Sequence, residues 1–203
     1  TGTTDLPAGS VVTLTVTDSA GNSQTLTATV QAGGIYSVDV TTPLAEGPYT
    51  ADATATDAAG NSAAANDPGS INLTAPSLTV DAPDNTNDTT PAITGTTDAP
   101  AGSLVTLVVT DSAGNSQTLI AVVQPDGTYS AVVTEPLAEG PYTATASVAD
   151  GAGNTTTAND PGSVDLTPPV LTVNAPDNTN DTTPTITGTT DLPAGSVVTL
   201  TVT

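Results

Sequence analysis

Apolar and polar residues alternate along most of this chain with a period of two. Over residues 10–18, Val12, Leu14 and Val16 fall on one side while Thr13, Thr15 and Thr17 fall on the other. Positions i and i+2 share a face only in an extended strand, so the pattern predicts half-buried β-strands rather than helices. It recurs at Val105, Leu107 and Val109, at Leu119, Ala121 and Val123, at Tyr129, Ala131 and Val133, and at Tyr142, Ala144, Ala146 and Val148. Gly, Pro, Asn and Asp punctuate the runs, and Asp111-Ser112-Ala113-Gly114-Asn115 reads as a hairpin turn between two of them. Counted from Pro76, strands are expected at 77–81, 91–97, 103–110, 116–123, 128–134, 141–149, and from 155 to 158 or slightly beyond.

The same letters return every 93 residues. Thr1-Gly2-Thr3-Thr4-Asp5 reappears as Thr94-Gly95-Thr96-Thr97-Asp98 and as Thr187-Gly188-Thr189-Thr190-Asp191. A period of that length suits an independent small domain, not a solenoid repeat that buries its core only by stacking. About seven short strands per period, with turns every 8–12 residues, point to an all-β chain of tandem immunoglobulin-like antiparallel β-sandwich domains. The expected division is 1–74, a repeat lacking its first strand; 75–168, a complete repeat; and 169–203, the opening strands of a third. A second phasing, with residues 77–81 closing the preceding unit, fits the same pattern. Tyr49 and Tyr142 each follow Glu-Gly-Pro at the entry to the sixth strand and read as tyrosine corners, whose hydroxyls bond back across the adjacent loop.

Charge changes the picture most. The chain has 21 Asp and Glu but no Lys, Arg or His, a formal net charge of −21. A desolvated carboxylate without a partner is costly, and no cationic side chain exists to supply one. Water, backbone N–H groups and metal cations are the remaining partners. The charge also repels phosphate backbones and anionic lipid headgroups, which excludes nucleic acid and direct membrane insertion. Without His, Cys or Lys, nucleophilic triads and their usual bases are missing, so no enzyme is expected. The core is thin, with four Tyr as the only aromatics and no Cys for disulfides, which leaves metal as the available reinforcement.

In an up-and-down tracing, alternate loops lie at opposite ends of a sandwich. Asp98, Asp126, Asp150 and Asn154 then share one pole, and Asp84, Asp88, Asp111 and Glu139 the other, near Asp165. Two unit charges about 10 Å apart repel by roughly 0.4 kcal/mol in water before screening, so stacked acidic poles would splay. A shared divalent cation reverses that sign. Carboxylate, amide and carbonyl oxygens favour calcium over zinc or copper. The candidate ligands are Asp5, Asp57, Asn61, Asp84, Asp88, Asp98, Asp150, Asn154, Asp177, Asp181 and Asp191. The run from Asp81 to Asp88 lacks the central Gly and terminal Glu of an EF-hand. The same Asp-x-Ala-Gly-Asn letters at Asp18, Asp57, Asp111 and Asp150 also serve a tight hairpin, with Asp closing an Asx-turn and Gly at positive φ.

Three stretches together resemble a known family. They are Asn87-Asp88-Thr89-Thr90-Pro91 leading into Ile93-Thr94-Gly95-Thr96, Pro136-Leu137-Ala138-Glu139-Gly140-Pro141-Tyr142-Thr143, and Asp150-Gly151-Ala152-Gly153-Asn154. They resemble the bacterial Ig-like extender repeats of giant RTX-type surface adhesins. The resemblance implies a string of calcium-rigidified sandwiches, exported by type I secretion to the cell surface, that holds a terminal binding region away from the cell. It implies calcium near the linkers, for which Asp88, Asp98, Asp150 and Asn154 are the matching positions. One departure is that Leu73-Thr74-Ala75-Pro76 and Leu166-Thr167-Pro168-Pro169 lack the Asp that many family linkers carry, so that linker ligand is either missing or supplied by Asn72 and Asp165. The RTX nonapeptides are absent.

The leading expectation is a structural stalk whose partners are neighbouring repeats of the same chain, with cell-surface or matrix partners engaged through other regions. The alternative is a binding module whose Thr-rich faces or loop poles recognise carbohydrate, ice or another cell. The four Tyr are better used as core than as a sugar platform.

Overall fold

The computed structural model describes residues 1–202. Among the described residues it contains strands and no helix, arranged as antiparallel sheets that pack into sandwiches. Two compact units emerge: Thr1–Pro76 with Ala149–Thr156, and Ser77–Val148 with the chain from Thr157 onward.

The first unit contains β1 (Gly2–Thr3), β2 (Val11–Thr17), β3 (Ser23–Thr29), β4 (Ile35–Tyr36), β5 (Gly47–Thr56) and β6 (Ser62–Ile71). One sheet has the order β3-β2-β5-β6, and β1 pairs with β4 in another. Register places Leu14 opposite both Leu26 and Ala53, and Val12 opposite Ala28 and Ala55. The alternating apolar residues therefore collect on one face, and Val12, Ala28, Val30 and Tyr36 form a small core.

The following strands are β7 (Ala92–Thr96), β8 (Leu104–Thr110), β9 (Ser116–Val122), β10 (Thr128–Val132), β11 (Gly140–Ala149) and β12 (Thr155–Val164). They repeat the arrangement as β12-β11-β8-β9 and β10-β7. The core here is larger, with Ile93, Leu107, Val109, Ala144 and Ala146 wholly buried. Residues 77–91 explain the difference. They run antiparallel to β7, where Thr79 N–H donates to the Thr96 carbonyl and Asp81 exchanges bonds with Thr94. They then cross to the other sheet, where Thr86 lies parallel to Val164 and accepts from the Asp165 N–H. Leu78, Val80 and Ala82 pack against the core on the way. One segment thus closes both sheets.

Three local readings are corrected. Residues 77–81 form two isolated bridges, Leu78 to Thr97 and Asp81 to Thr94, rather than a continuous strand. The last strand does not stop near 158 but continues to Val164 through Asn159-Asp160-Pro161-Gly162. It is the outer member of its four-stranded sheet, where a missing proline N–H is tolerated. Gly162 is needed there because a Cβ would lie 2.4 Å from the Tyr142 ring. Nor does Tyr142 make a corner with its adjacent loop. Its hydroxyl donates to the Pro83 carbonyl at 2.9 Å, and the Tyr129 hydroxyl donates to the Thr79 carbonyl, so both tie down the 77–91 segment.

The tyrosines share a further feature. Tyr36, Tyr49 and Tyr129 stand directly opposite Gly2, Gly69 and Gly95 in register, and Tyr142 covers Gly162. Each ring occupies the space that a side chain on the neighbouring strand would fill. Beyond residue 169, the chain begins the same pattern with bridges from Leu171 to Thr190 and from Asn174 to Thr187.

Candidate functional site

The acidic turns answer the question that the charge raises. At Asp18, Asp57, Asp111 and Asp150, one side-chain oxygen accepts the backbone N–H groups two and four residues on, at 2.8–3.0 Å. The other oxygen accepts the side-chain amide of the Asn four residues on. The intervening Gly21, Gly60, Gly114 and Gly153 have φ between 82° and 92°, so the loop closes without strain. Each carboxylate is therefore surrounded by N–H donors in place of cations. The Asn amide contributes most, and with the backbone groups it holds all four carboxyls below the ordinary Asp value against the opposing effect of desolvation.

The four turns divide by what fills the last acceptor position. Asp18 and Asp111 are buried and take a further N–H from Ala45 and Ala138 respectively, on the loop before the next long strand. Asp57 and Asp150 lie at the tip between the two longest strands and receive no such bond from their own sandwich. At Asp150 the vacant position goes to Asn72, whose Nδ2 donates to Oδ2 at 2.9 Å. Asn154 Nδ2 donates both to that oxygen, at 2.9 Å, and to the Asn72 carbonyl, at 3.0 Å. Thr156 Oγ1 reaches the Pro76 carbonyl at 2.5 Å. All of these residues belong to the first unit.

Four of the other candidate ligands accept backbone N–H groups, Asp98 and Asp191 from 21 residues away and Asp88 and Asp181 from two residues on. Asp98 accepts the Ser77 N–H at 2.7 Å, and Asp191 accepts the Val170 N–H at 2.9 Å. Asp88 and Asp181 each cap a Thr two residues on through its N–H and hydroxyl. Asp5, Asp84 and Asp177 are exposed. Among the described residues no three acidic side chains converge. The structure brings together Asp57 with Asn61, and Asp150 with Asn154 and Asn72. Sequence reasoning missed two contacts: Asp160 accepting the Ala82 N–H at 2.8 Å, and the Glu46–Thr74 bond, repeated as Glu139–Thr167. The second was detectable as paired letters recurring at the repeat spacing.

The donor chemistry of the Asp150 cluster suits a hard divalent cation, since the Asp150 carboxylate, the Asn72 carbonyl and both amide oxygens are of the type that calcium prefers. Asn154 Nδ2 bridges two of these oxygens, Asp150 Oδ2 and the Asn72 carbonyl.

A family model described as a bacterial Ig-like domain matches residues 3–74 and 66–166. The chain belongs to the bacterial Ig-like domain family. Among solved structures, a crystal structure of the tetra-tandem repeat in the extending region of a large adhesion protein is 34% identical, over 92% of this chain and 50% of that one, with a TM-score of 0.44. A structure concerning host-cell-surface retention of a 1.5-MDa bacterial ice-binding adhesin is 20% identical, over 86% and 60%, with a TM-score of 0.44. A calcium-stabilised adhesin by which an Antarctic bacterium binds ice is 28% identical, over 84% and 44%, with a TM-score of 0.42. The chain thus spans about half the length of the structures it matches. No curated protein matches it. In this bacterial Ig-like chain, the Asp-x-Ala-Gly-Asn turns close the two long hairpins of each repeat, β2–β3 and β5–β6 in the first and β8–β9 and β11–β12 in the second.

Proposed function

We propose that this chain is a spacer segment of a long extracellular bacterial adhesin or fibre, in which bacterial Ig-like domains follow one another and calcium stiffens the linkers. The observation that carries the reading is the attachment of the linker itself. Asn72 and Pro76 are bonded to the turn and strand at Asp150, Asn154 and Thr156, and the Ser77 N–H is bonded to Asp98. A linker meant to flex would leave such groups to water.

In this reading Asp98, Asp150 and Asn154, with Asn72, hold calcium at the linker side. Asp5, Asp57, Asn61 and Asp191 do so at the equivalent positions. Asp84, Asp88, Asp177 and Asp181 form the second group, at the opposite pole. Calcium would supply positive charge where this chain has none and relieve repulsion among its carboxylates. Secretion to the cell surface and binding partners carried by other regions follow from the same role.

Calorimetric titration of the metal-free chain with calcium, paired with thermal melts, tests this. At a hundred times its dissociation constant, one bound ion stabilises by about 2.7 kcal/mol, and the melt should move up accordingly. Asp150→Ala should lose much of that gain. No heat of binding and superimposable melts with and without chelator would remove calcium from the account.

A further inference from the structure

We propose that the outer face of β8 and β9 is a docking surface for the same face of a second copy, so that two chains pair side by side. The alternation that buries Val105, Leu107 and Val109 turns Leu104 and Val108 outward on β8, and on β9 it turns Ile120 and Val122 outward. Leu104, Val108, Ile120 and Val122 are 59%, 37%, 56% and 47% exposed. Register joins them into one patch. Leu104 stands opposite Val122, Ile120 is the next outward residue along β9, and Val108 lies diagonal to Ile120, opposite Thr118.

The matching face of the other repeat is polar. There Thr15, Thr27 and Thr29 take the places of Val108, Ile120 and Val122, and only Val11 matches Leu104. The neighbouring strand differs too, since Asp52 stands opposite Thr15 where Thr145 stands opposite Val108. Both sheets have the same strand order and register, so the aliphatic side chains are not needed to build this one. They leave contiguous apolar surface in water, which burial against a partner would relieve.

Charge selects the occupant. The chain has 21 carboxylates, yet no outward position of β8, β9 or β11 is Asp or Glu. A cationic partner would find no anion to pair with on this face. Two copies repel wherever their acids meet, and here they can approach with no acid at the contact. The same face of a second copy supplies what the patch requires, an apolar sheet surface without charge. Each copy offers an identical patch, so the contact is isologous and closes at a dimer.

Sedimentation velocity of the full chain at concentrations up to about 1 mM, with chelator in every sample, tests this independently of the calcium reading. Mass should move from monomer to dimer and no further. Added salt should lower the concentration for half-association, because it screens repulsion between the copies. The double variant Ile120→Thr/Val122→Thr, which restores the letters of the other repeat, should raise that concentration at least about tenfold and leave thermal melts unchanged. The reverse exchange, Thr27→Ile/Thr29→Val, gives the other repeat most of the patch and should carry association past the dimer. Methyl NMR signals of Leu104, Ile120 and Val122 should shift with concentration. A chain that stays monomeric, a double variant that associates like the parent, or shifts confined to other residues overturns the proposal. A monomer that instead floats with phosphatidylcholine vesicles would assign the face to a neutral lipid surface and overturn it equally.

Discussion

Residues 1–74 and 75–168 carry nearly the same letters in the same register, yet the second set is buried far more completely. Tyr142, Ala144, Ala146 and Val148 are wholly buried, while Tyr49, Ala51, Ala53 and Ala55 at the matching positions remain half-exposed. The strands, turns and glycine–tyrosine pairs are common to both. Residues 77–91 cover the second sandwich, where they bridge both of its sheets and pack Leu78, Val80 and Ala82 against its core. A period-two pattern therefore makes a sheet, but a separate crossing segment is needed to convert its apolar face into a core.

The sharpest way to break that comparison is to empty the two cores at equivalent positions. Leu107→Ala should cost about 3–4 kcal/mol, because Leu107 is wholly buried among fixed neighbours, whereas Leu14→Ala should cost about 1–2 kcal/mol at its half-exposed site. Hydrogen exchange resolved by segment would assign each loss to its own sandwich, and equal losses would show the first core to be as closed as the second.

A smaller gap is expected at the glycines under the tyrosine rings. Gly162→Ala puts a methyl against both the Tyr142 ring and the Pro83 carbonyl and should cost about 1–3 kcal/mol. Gly69→Ala meets only the Tyr49 ring, which can swing outward, so at most half that cost is expected, again read by segment-resolved exchange.

Removing the hydroxyls should separate the regions further. Tyr142→Phe loses the bond to Pro83 and should destabilise by about 1 kcal/mol in thermal melts, while Tyr49→Phe should be nearly silent.

The acidic turns at Asp18 and Asp111 should erase the comparison, since each is complete in its own region. Asp18 and Asp111 have folded-state pKa values below those of the unfolded chain. Their stabilisation is thus fully present above the unfolded value of about 3.9 and is lost as pH falls through the folded value. Melts across the acid range should show Asp18→Ala and Asp111→Ala each less stable than the parent at neutral pH. Both gaps should close together at low pH, and a gap that widens on acidification would contradict the bonding described here.

Much of the fold was legible because it depends on neighbours in the chain. Strand positions came from alternation, and the hairpins from the Asp-x-Ala-Gly-Asn letters. The full length of the last strand was not legible, because Pro161 and Gly162 fit there only since this strand lies at a sheet edge beneath a tyrosine ring. The candidate ligands were legible as a set of acids, but not as a set of neighbours. Asp88 and Asp181 cap local backbone, Asp98 and Asp191 each take an N–H from 21 residues away, and among the described residues only Asp57 with Asn61, and Asp150 with Asn154 and Asn72, come together.

The sequence by itself determined that this chain is all-β, that it repeats every 93 residues, and that its carboxylates have no cationic side chain to meet. These follow from residue identity and short-range spacing. Only the tertiary structure decided that N–H donors surround the turn aspartates from several directions, that Asn72 completes Asp150 across 78 residues of chain, and that one segment seals both sheets of a sandwich. Burial and hydrogen-bond partnership belong to groups distant in sequence, so no local pattern contains them.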